Sequence, residues 1–360
     1  LDATISNGKR NSSATTFLNP ALKRDNIKLQ KNILVEKIFL ENDRAVGIEV
    51  SEKGQKYRIE AEKEIILSAG ALNSPQILML SGIGPADHLR NIGSNVSHDL
   101  PGVGQNLQDH ATVSISWECL KEFEAHKIDR QINKMMAGIK WIITRKGLAA
   151  SNHFEAGGLI RGNDNVKYPN LQYHFGPTGF DYIGGKFKLS QAFTLQLDQL
   201  RPHSKGYLKL KSLNPKDSPE IKLNYFKDPR DIKELTEGVK KMRELVSQPV
   251  FDKYRGKEIS PGSEIQSDSE IEQAIRLNTI TDYHQCGTCA MGTDVNSVVD
   301  SEMRVKGINS LRVVDASVLP NVVSGNIGAP VMMIAARAAD WILGKSQLEP
   351  LKANFKFDQI

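Results

Sequence analysis

Between Asn32 and Ser68 apolar and polar residues alternate in short runs, which predicts strands at 32–40, 45–50, 57–61 and 64–68, with Lys53-Gly54 as a hairpin turn. The last run, Glu64-Ile65-Ile66-Leu67-Ser68, ends in Ala69-Gly70-Ala71. Ser74 then offers an N-cap oxygen and Pro75 suits a first helical position, so a helix is expected to begin at Gln76 and to stop at Gly82. A strand, a turn of small residues and a helix in that order let a ligand approach the backbone and present free N–H groups to an anion.

From Ala111 to about Tyr225 the alternation of strands returns, as in Gly206-Tyr207-Leu208-Lys209-Leu210-Lys211, broken by turn clusters such as Asn214 to Pro219. An amphipathic stretch, 131–145, interrupts it. This section reads as an antiparallel sheet with one face covered. Ile232, Leu235, Val239, Met242 and Leu245 then recur at helical spacing, and Ser267 with Glu270 forms a capping box for a further helix. Ser310 to Val314 reads as a short buried strand ending in Asp315, and Pro330 opens a helical run over 331–343.

With 360 residues the chain can hold one large or two ordinary domains. The net charge of +5 comes from Lys and Arg interleaved with Asp and Glu, which is a solvated surface and argues against nucleic-acid binding. Residues 316–336 carry no charge, but Pro320, Gly325, Gly328 and Pro330 break them into loop and short helix, so no membrane span is expected. Leu1 is neither an initiator methionine nor the start of a signal segment, and the chain is expected to be part of a longer protein. Cys286 and Cys289 spell C-x-x-C, but no second pair completes four ligands; two packed thiols, with no metal, are expected there.

The candidate chemistry centres on His284, in Tyr283-His284-Gln285-Cys286-Gly287-Thr288-Cys289-Ala290-Met291-Gly292, answered downstream by Asp315-Ala316-Ser317 and Ser324-Gly325-Asn326. A histidine can take a proton from an alcohol near neutral pH, and an asparagine beside it can supply a neutral hydrogen bond. An isolated histidine is more often structural, which is the expectation for His88, His98, His126, His153, His174 and His203; His110 is expected to fix a turn. Asn326 could also serve only as a helix cap. Two glycine clusters, Gly82-Ile83-Gly84 and Gly102-Val103-Gly104, lack the third small residue of a dinucleotide fingerprint, since Asp87 and Leu107 stand there.

Several ordered motifs together resemble the glucose-methanol-choline (GMC) flavoprotein oxidoreductases, in particular their arthropod glucose dehydrogenase members. They are Asn7 to Ser13, Gly70-Ala71-Leu72-Asn73-Ser74-Pro75 through Pro85, Val103 to His110, Arg201 to Gly206 and the His284 and Asn326 segments. The resemblance implies an α/β and α+β protein in which an FAD-binding Rossmann-like domain is written in discontinuous pieces, incomplete here, around an antiparallel-sheet substrate domain. Residues 1–110 would be part of the FAD domain, 111–280 the substrate domain, 281–345 the return carrying the catalytic His and Asn, and 346–360 a tail. By the same resemblance His284 and Asn326 are catalytic, while Val35, Ser68, Ala69, Asp315, Ala316 and Ile327 contact the cofactor. Gln285-Cys286 stands where a Pro-Val-like pair is expected, and Ile327-Gly328 where arthropod members carry Thr-Asn.

The implied activity is FAD-dependent oxidation of the CH–OH group of an alcohol or sugar, with hydride passing to flavin N5 and a quinone or oxygen as electron acceptor. The family's G-x-G-x-x-G turn does not occur in this chain, which by itself is therefore expected not to retain FAD. The alternative is a truncated, non-catalytic paralogue with a binding or structural role. The compartment is open, an extracellular one being compatible with the resemblance.

Overall fold

The computed structural model describes residues 4–183 and 186–349. Residues 1–3 of the first expected piece and 350–360 of the expected tail lie outside the described residues. Strands β1 (Leu34–Glu41), β2 (Arg44–Glu52) and β3 (Gln55–Glu60) form an antiparallel sheet. Both connections are two-residue turns whose central residues have positive φ, 48° and 57° at Asn42-Asp43 and 50° and 87° at Lys53-Gly54. That twist matches the strands on either side.

After β4 (Ile65–Leu67) comes helix α1 (Gly70–Leu80), which begins at Gly70 and not at Gln76 as the capping pattern predicts. Pro75 is thus inside the helix, where it has no N–H to offer the carbonyl of Ala71. Thr288 Oγ1 donates to that carbonyl at 2.6 Å and takes the missing partner's place. Ser74 is not the N-cap: its hydroxyl accepts from the Ala69 N–H at 3.0 Å and donates to Asp315 Oδ2 at 2.5 Å. Both compensating groups come from more than 200 positions away, which explains why local pattern misplaces the helix start.

The central element is an antiparallel sheet built from β5 (Ala111–Cys119) and, after the helix α2 (Gln131–Thr144), from β6 (Ala156–Ile160), β7 (Leu171–Gly176) and β8 (Ala192–Gln199). Helix α3 (Pro229–Val246), strand β9 (Arg255–Ser260), helix α4 (Asp268–Asn278) and strand β10 (Ile280–Thr281) follow. The strand order is β6-β7-β8-β5-β9, with β10 also on β5. Because side chains alternate across a sheet, Leu171, Tyr173, Phe193, Leu195, Val113 and Ile115 share one face and pack with α3 and α4. Gln172 and His174 on β7, Thr194, Gln196 and Asp198 on β8 and Thr112 on β5 share the other. The expected capping box is present at the start of α4, where Ser267 accepts from Glu270 N and Glu270 accepts from Ser267 N. Arg243 on α3 makes a bidentate pair with the buried Glu258 on β9, which ties helix to sheet edge.

Strand β11 (Leu311–Val313) lies parallel to β4, Leu311 opposite Ile65 and Val313 opposite Leu67. Helix α5 (Gly328–Ile342) then starts two residues ahead of Pro330, whose absent N–H falls in the first turn, where none is needed. Among the described residues no helix is long and apolar enough to cross a membrane. Replacing Thr288 by valine is expected to strip the Ala71 carbonyl of its donor and cost about 1–3 kcal/mol, measured as a shift in the urea midpoint with the slope unchanged. An unchanged midpoint would show that the Pro75 break needs no such partner.

Candidate active site

The loop after β10 carries His284, and one buried carboxylate holds that loop. Asp109 Oδ1 accepts from the His284 main-chain N–H at 2.9 Å. Its Oδ2 accepts from Tyr225 Oη at 2.6 Å, Thr281 Oγ1 at 2.5 Å and Gln285 Nε2 at 3.0 Å. Burial first, and then the adjacent Asp109, push the Tyr225 phenol far above its ordinary range, so it remains a donor.

His284 and Asn326, 42 positions apart, meet: Asn326 Nδ2 lies 3.4 Å from His284 Nε2. Gln172 Nε2 donates to Asn326 Oδ1 at 3.1 Å, which turns the amide's N–H side toward the imidazole. Asn326 therefore donates, and Nε2 is the unprotonated nitrogen. The other nitrogen, Nδ1, lies 3.0 Å from Asp282 Oδ2 and 2.9 Å from His110 Nδ1. A proton on Nδ1 directed at Asp282 and an accepting Nε2 is the arrangement of a general base held by a carboxylate. Gln196 Nε2 steadies Asp282 from β8 at 3.1 Å.

His110, expected to fix a turn, also packs against the His284 ring. Its ring stands edge-on to that of His284 with centroids 5.0 Å apart, and burial followed by repulsion from His284 lowers its pKa. Its Nε2 is buried with no hydrogen-bond partner, as are His174 Nδ1 and Asp198 Oδ2 on the same side of the sheet. Asp198 Oδ2 lies 3.4 Å from His174 Nε2. Ligand atoms of His110, Asp282 and His284 lie within 4.8 Å of one another, so the trio has the residue types of a cation site. Two nitrogens on a tetrahedral zinc would stand about 3.3 Å apart, wider than the 2.9 Å between His110 Nδ1 and His284 Nδ1.

Of the other residues expected to matter, Val35, Ala69, Ala316 and Ile327 pack on one apolar cluster, and Ser68 is exposed at the end of β4. The Asp315 carboxylate is taken up by the protein itself, accepting from Gly70 N at 2.9 Å, Ser74 Oγ, and Ser317 N and Oγ. Only its main chain is left for a ligand. Ile327 is the N-cap of α5 and no side chain caps that helix, while Gly328 and Ala329 are exposed beside Asn326. An open helix N-terminus next to the base fits the electron-rich edge of a flavin ring. The glycine clusters fit no pyrophosphate: a Cβ on Gly104 would meet Leu208 O at 2.3 Å, and one on Gly102 would meet Asn296 O at 1.8 Å, so close packing requires them.

Asp282 and Gln172 carry no signal of their own in the sequence, His174 is among the histidines expected to be structural, and Asp109 stands there only inside a motif. The spacing Asp282-x-His284 and the alternation Gln172-x-His174 were visible, but nothing local shows that the two runs face each other.

Residues 2–112 and 202–335 match the N-terminal and C-terminal sequence models described as GMC oxidoreductase. The chain belongs to the GMC oxidoreductase family. It is 41% identical over 354 residues to oxygen-dependent choline dehydrogenase 1 of Chromohalobacter salexigens, covering 98% of this chain and 63% of that protein. It is 44% identical over 350 residues to the mitochondrial choline dehydrogenase of Homo sapiens, covering 97% of this chain and 59% of that one. The GMC chain thus spans less than two thirds of the length of these relatives. Its fold matches pyridoxine 4-oxidase from Mesorbium loti (TM-score 0.82, 27% identity) and formate oxidase from Aspergillus oryzae (0.86, 26%), in each case over 95% of this chain and 64% of the other. Mixed α/β content with antiparallel sheets is the fold of these neighbours.

Two outcomes follow for this GMC chain. Cys286 and Cys289 are buried, as is Cys119; burial pushes the Cys286 thiol up to about 12 and raises the other two. All three are expected to stay unreactive toward a soluble disulfide reagent at pH 8 until denaturant is added, and rapid native labelling would contradict their packing. His110 is held below its ordinary pKa, so the unfolded chain binds a proton there that the folded chain does not. Its contribution to stability is present above about pH 6.5 and lost as pH falls below it. Urea unfolding should show a loss between pH 7.5 and 5.5 that His110→Asn reduces; an equal loss in the variant would remove His110 from the account.

Proposed function

We propose that the chain carries the substrate-oxidising half of an FAD-dependent oxidoreductase acting on CH–OH groups. The observation that carries this is the His284–Asn326 pair, with His284 Nε2 3.4 Å from the Asn326 amide Nδ2. His284 Nε2 takes the hydroxyl proton, Asp282 stabilises the imidazolium through Nδ1, and Asn326 donates to the substrate oxygen as charge grows on it. FAD, when bound, supplies the acceptor for the hydride from the carbon. The N-terminus of α5 would hold the ring edge where negative charge collects. Asp109 and Gln172 set the position of His284 and Asn326.

The names of the choline dehydrogenase relatives support an alcohol substrate, and choline is the first to try. Asp198 and Asp282 on the site's side of the sheet support an alcohol bearing a positive charge over a neutral sugar. A quinone or oxygen is the proposed electron acceptor. The non-catalytic alternative has less support, because a chain freed from catalysis has no need to keep base, orienting acid and amide in register.

In the protein of full natural length, loaded with FAD, His284→Ala is expected to lower dye-coupled turnover of choline by roughly 100-fold or more while leaving the bound flavin spectrum in place. Asp282→Asn should lower kcat more than it raises KM and shift the pH profile, since it alters the base and not substrate affinity. Normal turnover in His284→Ala would make the histidine structural and overturn the reading.

A further inference from the structure

Helix α2 (Gln131–Thr144) is built the wrong way round for a water-facing surface. None of its residues is buried. Its half-buried side chains are Asn133, Ala137, Gly138 and Trp141, small or polar apart from the tryptophan, whose Nε1 donates to the Gly8 carbonyl. Ile132, Met135, Met136, Ile139, Ile142 and Ile143 are all exposed, from 43% at Ile139 to 75% at Ile143. At 100° per residue these six fall within a stripe about 120° wide on the side away from the protein. A surface helix normally turns such a stripe inward, and a contiguous exposed one marks an interaction surface.

The charge around the stripe selects its partner. Between Lys121 and Lys146 stand seven Lys and Arg against three Asp and Glu, an excess of four where the whole chain has an excess of five. Nearly all the net positive charge is thus gathered in the segment that exposes the apolar stripe. Apolar side chains flanked by lysine and arginine suit an anionic lipid surface, into which the apolar face sinks while the cations meet headgroups.

We propose that α2 lays the protein on an anionic bilayer as a peripheral, in-plane helix. The helix is also linked to the candidate active site through a chain of contacts. Lys134, Ala137 and Gly138 line a cavity of about 280 Å³ with His153 and Thr178. Phe154, next in the chain, packs on the His174 ring at 5.3 Å, and His174 contacts Gln172, which holds Asn326. Docking therefore places this cavity at the lipid surface. That consequence rests on the proposed function, whereas the docking itself does not.

The test uses the protein of full natural length and flotation with vesicles of phosphatidylcholine alone or mixed with phosphatidylglycerol. Binding is expected only to the mixed vesicles, weakened by salt, and lowered at least about ten-fold by the pair Ile139→Glu and Ile143→Glu. Circular dichroism checks that the pair still folds, and its turnover of a water-soluble alcohol should equal that of the parent. In parallel, Ile143→Cys should label readily with a soluble thiol reagent, the native cysteines being buried, and become protected when mixed vesicles are added. Failure to float, equal flotation of the glutamate pair, or protection of Ile143→Cys without lipid would overturn the proposal. The last outcome would show that another protein segment or a second copy covers the stripe. Absence of turnover in the parent would count against the proposed function and leave the lipid result to stand by itself.

Discussion

The site depends on where the Asp109 carboxylate sits. It is buried and accepts four hydrogen bonds, from the His284 main chain, Tyr225, Thr281 and Gln285. A buried carboxylate is costly to desolvate, and charge-assisted hydrogen bonds from several donors are what offset that cost. Those donors come from β10 and the loop after it and from the segment before α3, so the requirement to satisfy one acid brings separate stretches together. The His284 imidazole is the group whose direction this settles.

The same logic works across the central sheet. Its apolar face packs with α3 and α4 and forms a core of its own, leaving the opposite face free to carry Thr112, Gln172, His174, Gln196 and Asp198. Burying that many polar groups is tolerable only where they bond one another or a ligand. Most do, through Thr112 to Asp198, Gln172 to His174 and to Asn326, and Gln196 to Asp282. The atoms left over, His110 Nε2, His174 Nδ1 and Asp198 Oδ2, are buried without a hydrogen-bond partner.

A second buried acid organises the other core. Asp315 closes β11 against the start of α1 by taking Gly70, Ser74 and Ser317 as donors, while Thr288 repairs the helix at Pro75. The parallel pair β4 and β11 and the helix between them are thereby held in one register. The open end of α5 beside Asn326 is presented from this frame. A rigid frame of this kind can hold two side chains at a fixed separation, which proton abstraction requires.

The sequence by itself determined the elements whose cause is local. The turns at Lys53-Gly54, the capping box at Ser267 and Glu270, the period of α3 and the alternation of β7 and β8 follow from conformational preference and side-chain periodicity, which act within a few residues. His284 and Asn326 were also legible, since their neighbouring residues form a pattern. Tertiary structure alone decided the rest. The start of α1 depends on Thr288 and Asp315, and the tautomer of His284 on Asp282, His110 and an amide turned by Gln172. Hydrogen bonds to a buried group are chosen by what folding brings within 3 Å, and distance along the chain carries no record of that choice.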